Sequence, residues 1–293
     1  MPSIYELWGF LKMVGDYEPA LVDMIFRFVK SYTFKTNEKL YEGVNLWCDN
    51  REDAIRKYGH ICDWDVSQVT DMSQLFKDKQ YFNDDISRWD VTHVTTMYCM
   101  FYRTTEFNQP ISDWDVSNVT NISYMFYNAR VFNQPLGNWD VTHVTNMIGM
   151  FFHAKEFNQP IGDWDVTHVT DMSSMFYHAY KFNQPIGDWD VTQVTKMESM
   201  FDMAKEFNQP IGDWDVTHVT NMDCMFFYAK EFNQPIGNWD VTHVTDTDSM
   251  FENAISFNQP IGNWDVSNVT NMNYMFKNAT AFELKYKPRI MEL

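Results

Sequence analysis

Nine aspartates stand at one fixed interval in this chain: Asp65, Asp90, Asp115, Asp140, Asp165, Asp190, Asp215, Asp240 and Asp265, each directly after a tryptophan. The residue before the same tryptophan is Asp in five cases (Asp63, Asp113, Asp163, Asp188, Asp213), Asn in three and Arg88 in one. Rows of carboxylates have two uses outside the fold. They suit a hard cation such as Ca²⁺, or they present a negative field to a basic protein surface. They also have a use inside it: each accepts hydrogen bonds from the Ser or Thr two residues on, such as Thr167 or Thr192, and from nearby amides. Neighbouring carboxylates about 5 Å apart repel by about 0.8 kcal/mol in water and by about 3 kcal/mol at an effective dielectric of 20, so something must offset the repulsion. No loop has EF-hand or repeats-in-toxin spacing. No cofactor is therefore expected, and Ca²⁺ stays only as a candidate for the acidic rows.

Three other columns share the interval. Counting each Trp as zero, Thr stands at +6 in every copy, from Thr70 to Thr270. It is expected to cap a following helical turn. Asn stands at +19 in eight copies, Asn83 to Asn258, and is expected to bond neighbouring backbone as a ladder. His fills +4 in five copies (His93, His143, His168, His218, His243), with Asn or Gln in the others, which reads as a solvated turn position rather than a metal ligand. There is no Gly-rich phosphate loop, no H-E-x-x-H, no C-x-x-C and no nucleophile elbow. One residue type repeated in every coil is the opposite of a unique active site, so a non-enzymatic role is expected.

The elements that position these columns follow from the period. Trp recurs from Trp64 to Trp264 every 25 residues, nine times, with no slip. Self-similarity of this length signals a solenoid. Within a copy the apolar positions are nearly fixed, as in Val166, Val169, Met172, Met175, Phe176, Ala179, Phe182 and Ile186. Steps of two suit a strand and steps of three or four a helical turn. I-x-x-W-x-V, entering from Ile161, is thus predicted as a short strand. M-x-x-M-F-x-x-A is predicted as one or two turns of α or 3₁₀ helix, and F-N-Q-P-I-G as a return bend broken by Pro185 and Gly187. No copy can bury its own Trp, two Phe and two Met; neighbours must do it. At about 4.8 Å per coil the nine coils would span about 40 Å. Strand parity places the Asp rows on the face opposite the indoles.

The motif I-x-x-W-x-V-[ST]-x-V-T-x-M-x-x-M-F-x-x-A resembles the BspA-like leucine-rich repeat, in a Trp-Asp-Val variant, over roughly Cys62 to Phe282. The resemblance implies a leucine-rich-repeat-like solenoid with one parallel sheet, in a family associated with adhesion and protein binding rather than catalysis. The stretch NLWCDNREDAIRKYGHICDWDVS also resembles the lead-in of repeat proteins from large algal DNA viruses and microalgae.

The expected organisation is a helical cap over residues 1–60, nine repeats over 61–282, and a C-terminal cap over 283–293. Leu21, Met24, Ile25, Phe28 and Val29 have amphipathic helical spacing. A second helix is predicted near 38–48, and Asp49 with Glu52 resembles a capping box for a third that ends at Gly59. Residues 19–29 faintly resemble an F-box, without its Leu-Pro start. Copies one and two read as worn, with Asp84-Asp85 for Gln-Pro and Lys79 and Thr104 for Ala; Thr247 reads as a core lapse in copy eight.

The net charge of −18 argues against nucleic acid and anionic membrane surfaces. Cys99 and Cys224 stand five coils apart, too far to bridge; Cys48 and Cys62 could meet near the cap, but a reduced pair is expected there too. The start has no basic n-region, and no segment approaches membrane-spanning length, so an intracellular or virion-associated setting is expected. The expected work is recognition of another protein with a basic patch. A structural part in a viral or cellular assembly and an F-box-like adaptor are the alternatives, and the choice between monomer and homo-oligomer stays open.

Overall fold

In each coil after the first, the indole N–H is spent on the coil before it. Trp89 Nε1 donates to the carbonyl of Ile61 at 2.9 Å, Trp164 to Leu136 at 3.0 Å and Trp264 to Ile236 at 3.1 Å. Trp64 has no earlier coil, and Gly59 of the cap supplies its acceptor at 3.0 Å. A tryptophan buried with its one polar atom satisfied adds apolar burial without a desolvation penalty. The nine indoles are each 3% exposed and form one spine.

The computed structural model describes residues 32–289. The amphipathic segment at 21–29 and the F-box-like stretch lie outside the described residues. Among those described are two helices, α1 (Asn37–Asp49) and α2 (Arg51–Tyr58), and two short 3₁₀ turns, Ile61–Asp63 and Leu284–Tyr286. The nine coils of a repeat solenoid run between them.

The core columns sit where the apolar spacing puts them: Val166, Val169, Met172, Met175, Phe176, Ala179, Phe182 and Ile186 are each at most 1% exposed. Rings stack within a coil, Phe176 on Phe182 at 3.9 Å, and between coils, Phe176 on Phe201 at 5.6 Å.

The expected sheet and helical turns are corrected by the backbone. No strand forms at I-x-x-W-x-V, because an i→i+3 turn closes on each side of it: Trp164 N–H to Ile161 O and Val169 N–H to Val166 O. Parallel pairing between repeats is a single column of isolated bridges at +7, from Asp71↔Thr96 to Asp246↔Asn271. The hydrogen-bonded ladder lies instead over the segment expected to be helical. There Met172, Ser174, Phe176 and His178 donate in turn to Lys196, Glu198, Met200 and Asp202 of the next coil. Within the coil, Met175 N–H returns to Met172 O and Ala179 N–H to Phe176 O. Ser174 and His178, third in these two turns, have φ of 55° and 56°. Positive φ at that position is what a type II turn requires. Each coil therefore carries successive turns rather than a helix. The left-handed conformation costs a non-glycine residue about 1–2 kcal/mol; the N–H bonds of these same residues to the next coil offset it.

The +6 threonines do not cap helices. Thr170 Oγ1 donates to Thr145 O at 3.3 Å, and the column repeats this from Thr95 to Thr270. The expected capping box shifts by one residue: Asn50 caps α2, its Oδ1 accepting from Asp53 N–H at 3.2 Å. Gly59 closes α2 with φ 79°. The cap is sealed onto the first coil by Phe34 N–H to Asp65 O and Asp65 N–H to Tyr32 O.

Repeat spacing is not a uniform 4.8 Å. Equivalent rings lie 4.2–4.4 Å apart in the outward +13 column (Tyr102, Tyr127, Phe152, Tyr177). They lie 5.4–5.8 Å apart in the Phe column at +12, and 6.3–6.5 Å apart in the indole pairs Trp64–Trp89, Trp164–Trp189 and Trp239–Trp264. Each coil is a wedge, and the stack bends with its turn ladder inside the curve and the indoles toward the outside.

Candidate functional site

The acidic rows are placed by the turn around each tryptophan. The Trp side chain goes inward, so its two chain neighbours go out, and from Asp90 to Asp265 every aspartate after a Trp is exposed. They occupy an edge of the solenoid rather than a sheet face. Each has an internal task. Asp165 Oδ1 accepts from Thr167 N–H at 3.1 Å and from Thr167 Oγ1 at 2.6 Å. Asp90, Asp115, Asp140, Asp190, Asp215 and Asp240 make the same pair of bonds with the Ser or Thr two residues on. Asp265 accepts from Ser267 N–H, and Asp65 accepts from Ser67 and, through Oδ2, from Thr33 Oγ1 at 2.8 Å. The Ser or Thr hydroxyl, followed by the amide, holds Asp115, Asp140, Asp165, Asp215, Asp240 and Asp265 below the usual carboxylate range. Repulsion from the neighbouring Asp140 is the smallest contribution at Asp115. The hydrogen bonds thus offset the crowding of charge.

The other row behaves differently. Asp63 is spoken for by Arg88 at 2.9 Å, and Asp113 accepts from Ser112 Oγ at 3.3 Å. Asp163, Asp188 and Asp213 are exposed and accept no hydrogen bond among the described residues. With Asp165, Asp190 and Asp215 they make six carboxylates on three consecutive coils, none ion-paired among the described residues.

The +4 histidines are exposed at the same edge, and His218 Nδ1 donates to Thr192 O at 3.0 Å. Asn118 and Asn268 donate to the equivalent carbonyls, so the column tolerates any donor of that reach. His143 and His168 belong to no ligand cluster among the described residues.

The inner curve holds features that spacing alone did not reveal. The half-buried rings of Tyr102, Tyr127, Phe152 and Tyr177 form a continuous stack, and His153 stacks on His178 beside it at 4.2 Å. A second set of Asx turns lies at +7, where Asp171 Oδ1 accepts from Ser173 N–H at 3.0 Å. Residue types in these columns change from coil to coil. The one signal was the persistence of aromatics at +13 over four copies, ending at Asp202.

The profile of the family described as "Mycoplasma protein of unknown function, DUF285" matches residues 49–160, 132–226 and 209–288. The chain belongs to this family. Successive DUF285 matches overlap, as they should where coils repeat by translation and any coil can serve as the start. Among solved structures, the chain resembles one in the crystal structure of a TLR13–ssRNA13 complex at 10% identity and a TM-score of 0.29. That likeness covers 74% of this DUF285 chain and 34% of the other, so the chain spans about a third of the length of the structure it matches. A search of curated proteins gives no match. No described helix is long and apolar enough to cross a membrane.

Proposed function

We propose that this DUF285 protein is a non-catalytic recognition module that binds a basic surface of another protein through its acidic edge. The observation that supports the reading is the band formed by Asp163, Asp165, Asp188, Asp190, Asp213 and Asp215. Each row has uncommitted oxygen. The described bonds of Asp165, Asp190 and Asp215 use Oδ1 alone, and Asp163, Asp188 and Asp213 use none. Asp165, Asp190 and Asp215 are already held by their threonine bonds, so a partner need not order those three side chains on binding, which lowers the entropic cost. Such a field gives on-rate and specificity more than raw affinity. The BspA-like resemblance, with its association with adhesion and protein binding, points the same way.

The structure suggests a clean test. Asn already occupies the position before Trp at Asn138, Asn238 and Asn263. The triple variant Asp163→Asn, Asp188→Asn, Asp213→Asn should therefore melt like the wild type. It removes three charges from the band without touching the turn bonds. Calorimetry against a lysine-rich peptide should show weaker binding and a shallower salt dependence for the variant. Equal affinity in both proteins at low salt would end the proposal. Charge reversal at Asp165 and Asp190 is the less clean experiment, because it also breaks the Asx turns.

A further inference from the structure

The aromatic stack of the inner curve stops at Asp202, and the residues around that break are not built for packing. Asp223 and Cys224 lie on the next coil and Asp248 on the coil after. One carboxylate oxygen of Asp223, the Cys224 sulfur and one carboxylate oxygen of Asp248 all lie within 4.8 Å of one another. The thiol already donates to Asp223 Oδ1 at 3.3 Å, and the Cys224 N–H is held by Asp248 O at 2.9 Å. Asp202 borders the group from the preceding coil, close enough to Asp223 for their charges to repel. It is 6% exposed, and its buried Oδ1 has no hydrogen-bond partner. No lysine, arginine or histidine pairs with any of the three carboxylates among the described residues.

A buried acceptor without a donor is costly, more so when charged. Three carboxylates gathered around a thiol add repulsion to that cost. A divalent cation removes both. We propose that Asp202, Asp223, Cys224 and Asp248 form a binding site for a thiophilic divalent cation of the zinc class, tying three successive coils together.

The donor set selects the ion. Ca²⁺ takes roughly six to eight oxygen ligands, and a sulfur ligand disfavours it. Zn²⁺ accepts a mixed sulfur and oxygen set, at about 2.3 Å to sulfur and about 2.0–2.2 Å to oxygen. Those bond lengths set ligand atoms about 3.5 Å apart, so Asp223, Cys224 and Asp248 have to contract by about an ångström, and Asp202, which borders that group from outside, has to swing in to complete the set. The partly exposed position gives the ion a path in. The site differs from the acidic edge in place and in chemistry, and neither proposal depends on the other.

Cys99 supplies an internal control. It occupies the same repeat position as Cys224, but its neighbours in the +9 and +10 columns are Tyr98, Ser123 and Tyr124 rather than acids. Serine is native to that position at Ser174, Ser199 and Ser249, so Cys224→Ser should fold.

The experiment is a titration of the full chain, stripped with chelator, with Co²⁺ as a coloured stand-in for zinc. Absorbance reads the thiolate-to-cobalt charge-transfer band, and Zn²⁺ is added in competition. The wild type and Cys99→Ser should give the band and lose it to zinc. Cys224→Ser should give none, while melting normally without metal. Asp202→Asn and Asp248→Asn should each weaken binding by about tenfold or more. Zn²⁺ should raise the melting temperature of the wild type and not that of Cys224→Ser. Absence of the band in the wild type, its survival in Cys224→Ser, or unchanged affinity in both Asp variants overturns the proposal.

Discussion

Trp47 Nε1 donates to Asp84 Oδ2 at 2.9 Å, joining helix α1 to the first coil. The same oxygen takes Arg51 at 2.6 Å from helix α2. Asp84 stands where later copies carry Gln, so what reads as a worn repeat is the adaptation that docks the cap. Trp47 is 2% exposed, and removing its acceptor leaves a buried indole N–H unpaired. Asp84→Ala should cost about 1.5–3 kcal/mol in urea denaturation. Asp84→Asn keeps an oxygen for the indole and should cost less. Hydrogen exchange should speed up in α1 and α2 more than in coils five to seven, because a repeat stack transmits stability mainly to neighbours.

A second ladder runs along the return bend. Asn158 Oδ1 accepts from Asn183 N–H and from Gln184 Nε2, each at 2.9 Å, and Asn158 N–H donates to Asn133 Oδ1 at 2.9 Å. Asn158→Ala should lose about 1–3 kcal/mol, since it strands the half-buried Asn183 amide. Asn158→Asp keeps the acceptor and should recover most of the loss at neutral pH. Asn118→Ala, at an exposed position with one bond to Thr92 O, should stay within about 0.5 kcal/mol. Chemical denaturation of the three variants ranks them.

These ladders show what the sequence made legible and what it hid. The period and the Trp, Phe and Met columns fix which side chains are inside, because burial depends on residue type and spacing. The hydrogen bonds of the Asn and Asp columns were also readable, since a short polar side chain repeated in register has few partners to choose from. The backbone between Met172 and Ala179 was not. Its apolar steps of three and four fit a helix and a run of tight turns equally well. The choice falls to Ser174 and His178, which take positive φ; among the nine copies a glycine marks the Ser174 column once, at Gly149 with φ 55°. Long-range substitutions were hidden as well. Thr104 looks like a lost Ala, yet its hydroxyl donates to Phe76 O at 2.8 Å. Thr247 looks like a core lapse; it is 1% exposed, and its hydroxyl reaches Met275 Sδ at 3.8 Å.

Glycine in the bend is explained by approach, not by backbone freedom. A Cβ on Gly162 would lie 2.5 Å from Pro185 O of the next coil, and one on Gly187 would press on Pro210 O in the same way. At Gly262, in the eighth coil, the nearest atom would be Lys287 O at 3.5 Å, an ordinary contact. Gly162→Ala must push two coils apart at a backbone atom and should cost about 1–3 kcal/mol. Gly262→Ala should change stability by no more than about 0.5 kcal/mol. Ser87 and Ser112 hold this position in the first two coils, so the penalty should fall toward the N-terminal end. Melting curves of Ala variants along the column would show a graded effect; a flat response would rule out the close approach as its cause.

His178 gives the solenoid an acid-side weakness. Its ring stacks on His153 at 4.2 Å and Tyr177 at 4.5 Å, with Tyr180 Oη 3.2 Å from Nδ1 and a buried Nε2 that has no partner. Burial, then the facing charges of His153, Lys205 and Lys155, pushes its pKa down to about 4. The unfolded chain protonates near pH 6.5, so the unfolded state binds the proton first. Stability from this group is intact above pH 6.5. It declines as pH falls from there toward about 4, where the folded state protonates too and the loss levels off. Asn fills the same position at Asn128 and Asn253 and also takes positive φ there. His178→Asn should therefore fold normally and flatten the decline between pH 6.5 and about 4, leaving the carboxylate losses below pH 4 in place. Urea midpoints across that range test it, and an unaltered slope in the variant would assign the acid sensitivity to other groups.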